Sequence, residues 1–227
     1  MPRSRLHFFP LAGPFVILLF LLVALVIVFF EFGMIQYAYE KIGIDRRYVF
    51  ALLVGSLLGS YVNIPVAELA QERLFSNEVV RFFGMRYVIP VVRERPKTVI
   101  AINLGGAVIP LFISLYLIFE HGMILRTLFA VVIVSLVVHA AARPLRGIGI
   151  AVPIFIPPLI AASTALVLSP DSAPVIAYIA GTLGTLIGAD LMNLKKLRGL
   201  GAPVASIGGA GTFDGIFLSG IIAVLLA

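Results

Sequence analysis

Long apolar runs separated by short polar connections make up almost the whole chain. Seven stretches read as membrane helices: 11–32, 48–66, 97–119, 122–141, 147–168, 173–194 and 204–227. Each is close to the roughly 20 residues needed to cross a hydrocarbon core about 30 Å thick. The pattern predicts an all-α membrane protein with about seven transmembrane helices, built as a single integral membrane domain over residues 1–227. Several of these helices are interrupted. Asn63-Ile-Pro65 bends or breaks the second, because proline lacks the N–H and clashes with the preceding turn. Asn103, Gly105-Gly106 and Pro110 imply irregular backbone in the third, and Pro153, Pro157 and Pro158 kink, unwind or turn back the fifth. Irregular backbone at membrane depth is tolerated only where protein or a water-filled cavity covers it.

The connections add detail. Residues 67–97 form the one sizeable loop. Its first half, with Leu69 and Leu74 apolar and Glu72 and Arg73 polar, reads as a short amphipathic helix on the membrane surface. The stretch 78–92, EVVRFFGMRYVIPVV, reads either as a small hairpin around Gly84-Met85 or as an interfacial loop with aromatic anchors. There is also an internal echo: VGSLLGSYVN (54–63) matches LGTLIGADLM (183–192), and LGGA (104–107) matches IGGA (207–210). This predicts a parallel repeat of 48–119 and 173–227, unless small-residue motifs recur through composition alone. Glu31 falls at the far end of the first apolar run and is expected to sit at the interface, snorkelling to water.

Composition fixes the class. The chain is 61% hydrophobic and 12% charged, with a mean hydropathy of +1.12, as expected of a polytopic membrane protein. Its net charge of +6 reflects topology, not nucleic-acid binding. With seven spans, 13 of the 17 lysines and arginines fall on one side and four on the other. By the positive-inside bias the N-terminus and the loop 67–97 are cytoplasmic and the C-terminus is outside. The first apolar run follows Arg3 and Arg5, exceeds signal-peptide length and lacks an A-x-A site, so it reads as an uncleaved span. The expected setting is the plasma membrane, with lipid as the surrounding partner. Absence of cysteine excludes disulfides and thiol chemistry. His7, His121 and His139 are dispersed and form no metal set, and no phosphate-cradling loop precedes a Lys-Ser/Thr pair. No cofactor is expected.

The chemistry concentrates in 181–227. Asp190 and Asp214 are the acids that lie well inside apolar runs, and a carboxylate in hydrocarbon is costly enough to mark a functional site. Asp190 precedes Lys195 by five residues, a rise of roughly 7–8 Å. Asp214 lies about 20 Å below Ala227 and hence about 10 Å from the opposite boundary. The depths agree if the GGAG stretch (208–211) is extended or unwound rather than helical. Two facing carboxyls would share a proton and titrate in two steps. Such a pair suits aspartyl-protease chemistry, with one group activating water and the other polarising the carbonyl. It equally suits proton or cation transport, or a structural role in which each aspartate bonds to nearby backbone N–H groups or to Asn193.

GAGTFDGIFLSG resembles the GxGD motif of the intramembrane aspartyl proteases, among them presenilin, signal peptide peptidase and prepilin peptidase. The resemblance implies a catalytic pair of Asp190 and Asp214, with Gly209, Gly211, Gly215 and Asn193 around a transmembrane peptide substrate. Three departures stand out. Thr212 and Phe213 separate Gly211 from Asp214, Ala189 stands where presenilins carry tyrosine, and no later span holds a Pro-Ala-Leu motif. Over its full length, and above all in TVIAINLGGAVIP (98–110), the chain resembles an uncharacterised family of prokaryotic multi-pass membrane proteins with no established activity. The leading expectation is an intramembrane aspartyl protease or a structural relative. The second is a secondary transporter whose broken helices place Asn63, Asn103, Asp190 and Asp214 around a site. The third is a non-catalytic membrane scaffold.

Overall fold

The computed structural model describes residues 13–69, 74–82, 85–93, 98–145, 149–197, 204–209 and 215–227. Helix α1 (Gly13–Lys41) is followed by α2 (Arg46–Gly59), strand β1 (Asn63–Leu69), the hairpin β2 (Leu74–Phe82) and β3 (Met85–Arg93), and β4 (Thr98–Asn103). A π-helical turn, Leu104–Val108, leads into α3 (Ile109–His121) and then α4 (Ile124–Ala141). The short strands β5 (Arg143–Leu145) and β6 (Gly149–Ala151) precede α5 (Ile156–Leu168) and α6 (Ala173–Thr185). A π-helical turn Leu186–Asp190, a 3-10 segment Leu191–Leu197, β7 (Val204–Ile207) and α7 (Gly215–Leu226) complete the chain.

Among the described residues, four helical stretches are long and apolar enough to cross a membrane: Val16–Lys41, Leu104–His121, Ile124–Ala141 and Pro170–Leu197. Two shorter apolar helices are Ile156–Leu168 and Gly215–Leu226. The molecule is therefore a mostly helical membrane protein, but the all-α expectation needs correction. Parts of the second, third, fifth and seventh apolar runs are strand or irregular. Residues 63–69, 98–103 and 204–207 form one sheet in the order β1-β4-β7. In it β1 runs antiparallel to β4, pairing Asn63 with Asn103, and β7 runs parallel to β4, pairing Ile102 with Ile207. The physical reason is local. Pro65 stops α2 from continuing, and Thr98-Val99-Ile100 is β-branched, favouring a pleated strand. The three strands satisfy one another's backbone groups where the helices are broken, which hydrocarbon cannot do.

The expected hairpin is present and longer than the 78–92 stretch, with Phe82 paired to Met85 next to the tip. Of the stretch expected to form a surface helix, the described parts are strand, with β1 extending to Leu69 and β2 starting at Leu74, and residues 70–73 lie outside the described residues. Pro157 and Pro158 sit in the first turn of α5, where their missing N–H groups are no loss.

Helix α6 is the hub, with Val175 to Thr182 buried without interruption. Its glycines let neighbours in. A Cβ on Gly184 would stand 2.6 Å from the Val134 side chain, and one on Gly188 would collide with the backbone of Ser135 in α4. The C-terminal end of α1 closes this core with Ala38, Tyr39 and Ile42, all fully buried, and Lys41 Nζ donates to the Val224 carbonyl of α7 at 3.2 Å. At the α1–α2 turn Asp45 caps α2, accepting the Arg47 N–H at 3.0 Å. The Arg47 guanidinium, hydrogen-bonded to it, holds the Asp45 carboxyl below the usual carboxylate range. Glu31 is exposed and follows directly on the bare Phe29 and Phe30 of α1. The first helix continues to Lys41, so Glu31 falls ten residues before its end, inside the helix.

Candidate functional site

Asp190 closes the π-helical turn at the end of α6. A π turn widens the helix and displaces its carbonyls from their usual donors. Asn193 compensates: its buried amide donates to the Gly188 carbonyl at 2.8 Å and the Ala189 carbonyl at 3.0 Å. Its Oδ1 has no partner among the described residues. Asn193 thus binds its own helix end, and this end places the neighbouring carboxylate.

Asp190 Oδ2 accepts the backbone N–H of Gly208 at 2.9 Å. Gly208 follows β7 at φ +85°, and a Cβ there would stand 2.6 Å from Ala107 Cβ and 2.7 Å from Ala107 N. Both constraints leave room for glycine alone. Gly209 also has a positive φ, +83°, and its N–H reaches the Ser206 carbonyl at 3.3 Å. The stretch after β7 is therefore non-helical at Gly208 and Gly209, and Ala210 and Gly211 lie outside the described residues.

A second polar group adjoins the same strand. Asn103, buried, donates from Nδ2 to the Ser60 carbonyl at 2.6 Å and to Asn63 Oδ1 at 3.1 Å, and its Oδ1 accepts the Gly106 N–H at 2.8 Å. Ser206 Oγ donates to the same Asn63 Oδ1 at 2.5 Å. The hydrogen bonds thus tie β1, β4 and β7 together two residues before Gly208 meets Asp190.

Behind Asp190 is a cavity of about 290 Å³. Its wall includes Asp190, Ala189 and Thr185 of the α6 end, Gly215 and Ile216 of α7, Pro157 of α5 and the stretch 150–154 after β5. Thr185 Oγ1 donates to the Gly181 carbonyl at 2.5 Å and lies 3.1 Å from Ser219 Oγ on α7, fixing the spacing of the two helices that supply the aspartate and Gly215.

Of the residues singled out in the sequence, Asp190 and Gly215 line this cavity, and Gly209 is one residue from the Asp190 contact. Asn63 and Asn103 form the adjoining polar group. Gly211 and Asp214 lie outside the described residues, as does His7. Ser206, Thr185, Ser219 and the β5–β6 hairpin are additions from the structure. Hydroxyl residues are common in apolar helices and strands, and nothing in their spacing marked these three. Gly208 was visible within GGAG, though not as the donor to Asp190.

Residues 57–226 match the family described as "Protein of unknown function (DUF1614)", a description that names no protease. None of the curated proteins and none of the solved structures matches the chain.

Proposed function

The chain belongs to the DUF1614 family, and we propose that it is an intramembrane aspartyl protease or a close structural relative, with Asp190 and Asp214 as its carboxyl pair. The observation that supports this reading is the shared cavity. Asp190 and Gly215 line the same space, and Asp214 is joined to Gly215 by one peptide bond, about 3.8 Å in Cα spacing.

The chemistry follows from the pair. Two neighbouring carboxyls ionise in sequence and hold one proton between them. The ionised member takes a proton from water, which attacks the peptide carbonyl. The protonated member donates to the carbonyl oxygen as charge builds there. The Gly208 N–H holds one oxygen of Asp190 in place, and the cavity of about 290 Å³ has room for water. A substrate must arrive unwound, with its carbonyl exposed. The edge of β7 away from β4 has no strand partner among the described residues, and the β2–β3 hairpin offers further edges for an extended peptide.

In this reading the basic ends are cytoplasmic by the positive-inside bias.

Transport is the second reading. The hydrogen bonds of Asn63, Asn103 and Ser206, next to the Gly208–Asp190 contact and between broken helices, favour it. One pair of assays separates the two. Cleavage of a transmembrane reporter by the purified protein should fall at least about 100-fold in Asp190→Asn and in Asp214→Asn. Pure transport predicts instead no cleavage by the unsubstituted protein, with pH- or ion-dependent uptake into liposomes that the same changes abolish. A scaffold predicts neither.

A further inference from the structure

A file of hydroxyl groups runs along α6 and ends at the Asp190 cavity. Tyr178, Thr182 and Thr185 follow one another at four and three residues, a spacing that sets them on one face of the helix. Tyr39 of α1 and Ser219 of α7 meet that face. The Tyr39 and Tyr178 ring centroids lie 6.2 Å apart, and the Tyr178 hydroxyl faces those of Tyr39 and Thr182. Gly220 of α7 keeps the space between them open, since a Cβ there would overlap Thr182 Oγ1 and stand 3.2 Å from the Tyr178 ring. Next to Gly220, Ser219 Oγ lies 3.1 Å from Thr185 Oγ1. The Thr185 hydroxyl donates to the Gly181 carbonyl, so Ser219 is the donor in that pair. Thr185 in turn lines the cavity with Asp190.

Two members of the file are unpaired. None of the five residues is more than 4% exposed, yet Tyr39 Oη and Thr182 Oγ1 have no hydrogen-bond partner among the described residues. A buried hydroxyl left unbonded is costly, and packing alone would be served as well by phenylalanine and valine. Interior water is the usual partner where several buried polar atoms converge, as the hydroxyls of Tyr39, Tyr178 and Thr182 do.

A hydroxyl both donates and accepts, so it can pass on its own proton while taking up another and carry no lasting charge. Both ends of the file meet polar groups. Tyr39 is followed by exposed Glu40 and Lys41, and Lys41 Nζ donates to the Val224 carbonyl of α7. Asp190, roughly 18 Å along the helix from Tyr178, can take and release a proton at the cavity. The stretch Pro170–Leu197 that carries the file is long and apolar enough to cross a membrane. We propose that this file of hydroxyls, completed by water held between Tyr39, Tyr178 and Thr182, conducts protons along α6 between the Lys41 end of α1 and Asp190. For each proton taken up at Tyr39 one is delivered to the Asp190 carboxylate, and the hydroxyls between them then turn back to their starting bonds. Passage needs a titrating carboxyl at 190 but no cleavage of a peptide.

The test places the full chain in phosphatidylcholine vesicles loaded with potassium and a pH-sensitive dye, with valinomycin setting an inside-negative potential. Acidification of the lumen should exceed that of protein-free vesicles. It should fall to their level in Tyr39→Phe, in Thr182→Val and in Asp190→Asn. The first two changes keep side-chain shape and remove hydroxyls that bond no protein group, so the melting temperature should not fall. Thr182→Ser keeps the hydroxyl and should keep the flux. Acidification no faster than in protein-free vesicles, flux unchanged in Tyr39→Phe and Thr182→Val, or flux lost equally in Thr182→Ser would each overturn the proposal. Cleavage that depends on Asp190 in a protein that passes no protons would overturn it too, while leaving the protease reading in place.

Discussion

Gly208 links the backbone to the chemistry. Its N–H engages Asp190, its φ is +85°, and the space where a Cβ would go is filled by Ala107. Gly208→Ala should therefore cost about 1–3 kcal/mol through strain and overlap together, read as a lower melting temperature in detergent. Asp190→Asn is the useful contrast. Its amide oxygen can still accept the Gly208 N–H, so the melting temperature should stay near that of the unsubstituted protein while cleavage is lost. A large fall in stability for Asp190→Asn would instead mark Asp190 as structural. At this scale the sequence was informative about Asp190 and the glycines, because acids and clustered glycines are rare in apolar runs. It did not show where α1 ends: the apolar run stops at Phe32, but the buried Ala38 and Tyr39 carry α1 on to Lys41.

The elements that differ most from expectation are β1, β4 and β7. An apolar run of strand length cannot be told from a piece of helix by hydropathy alone, and the run 97–119 contains both. The legible signals were the β-branched Thr98-Val99-Ile100 and the helix-stopping Pro65. What could not be read was the partner of each strand, since β4 pairs with β7 across about a hundred residues of sequence. Buried Asn103 joins these elements through its bonds to Ser60, Asn63 and Gly106. Asn103→Ala strips partners from buried groups on two elements and should destabilise by about 2–4 kcal/mol, measurable as a shift in the thermal or denaturant midpoint. Asn103→Asp keeps an acceptor for the Gly106 N–H, loses the donor to Ser60, and should also be destabilised. A midpoint unchanged in both variants would show that this polar group does not hold the sheet. The echoed LGGA and IGGA stretches both begin at or directly after the end of a strand, β4 or β7, and both precede a helix. The local geometry differs, as Gly105 and Gly106 lie in a π turn whereas Gly208 and Gly209 adopt positive φ.

For the molecule as a whole, composition and run length were enough to identify a helical membrane protein. Among the described residues, four of the apolar runs combine a helix with a strand or irregular backbone. The consequence is functional. Helices α5 and α7, of which 13 and 12 residues are described, supply Pro157, Gly215 and Ile216 to the wall of the Asp190 cavity. Any activity at Asp190 then depends on whether Asp214 faces the same cavity. The natural absence of cysteine allows a direct test. In the Asp190→Cys, Asp214→Cys double variant, mild oxidation in membranes should yield an intramolecular disulfide or a link through the shortest bifunctional thiol reagent. A disulfide requires Cα atoms about 4.4–6.8 Å apart, and two carboxyls sharing a proton lie only slightly beyond that range. Rapid, complete cross-linking is the result that a facing pair predicts. No link except through spacers longer than about 12 Å would contradict the carboxyl pair, since charges so far apart cannot share a proton.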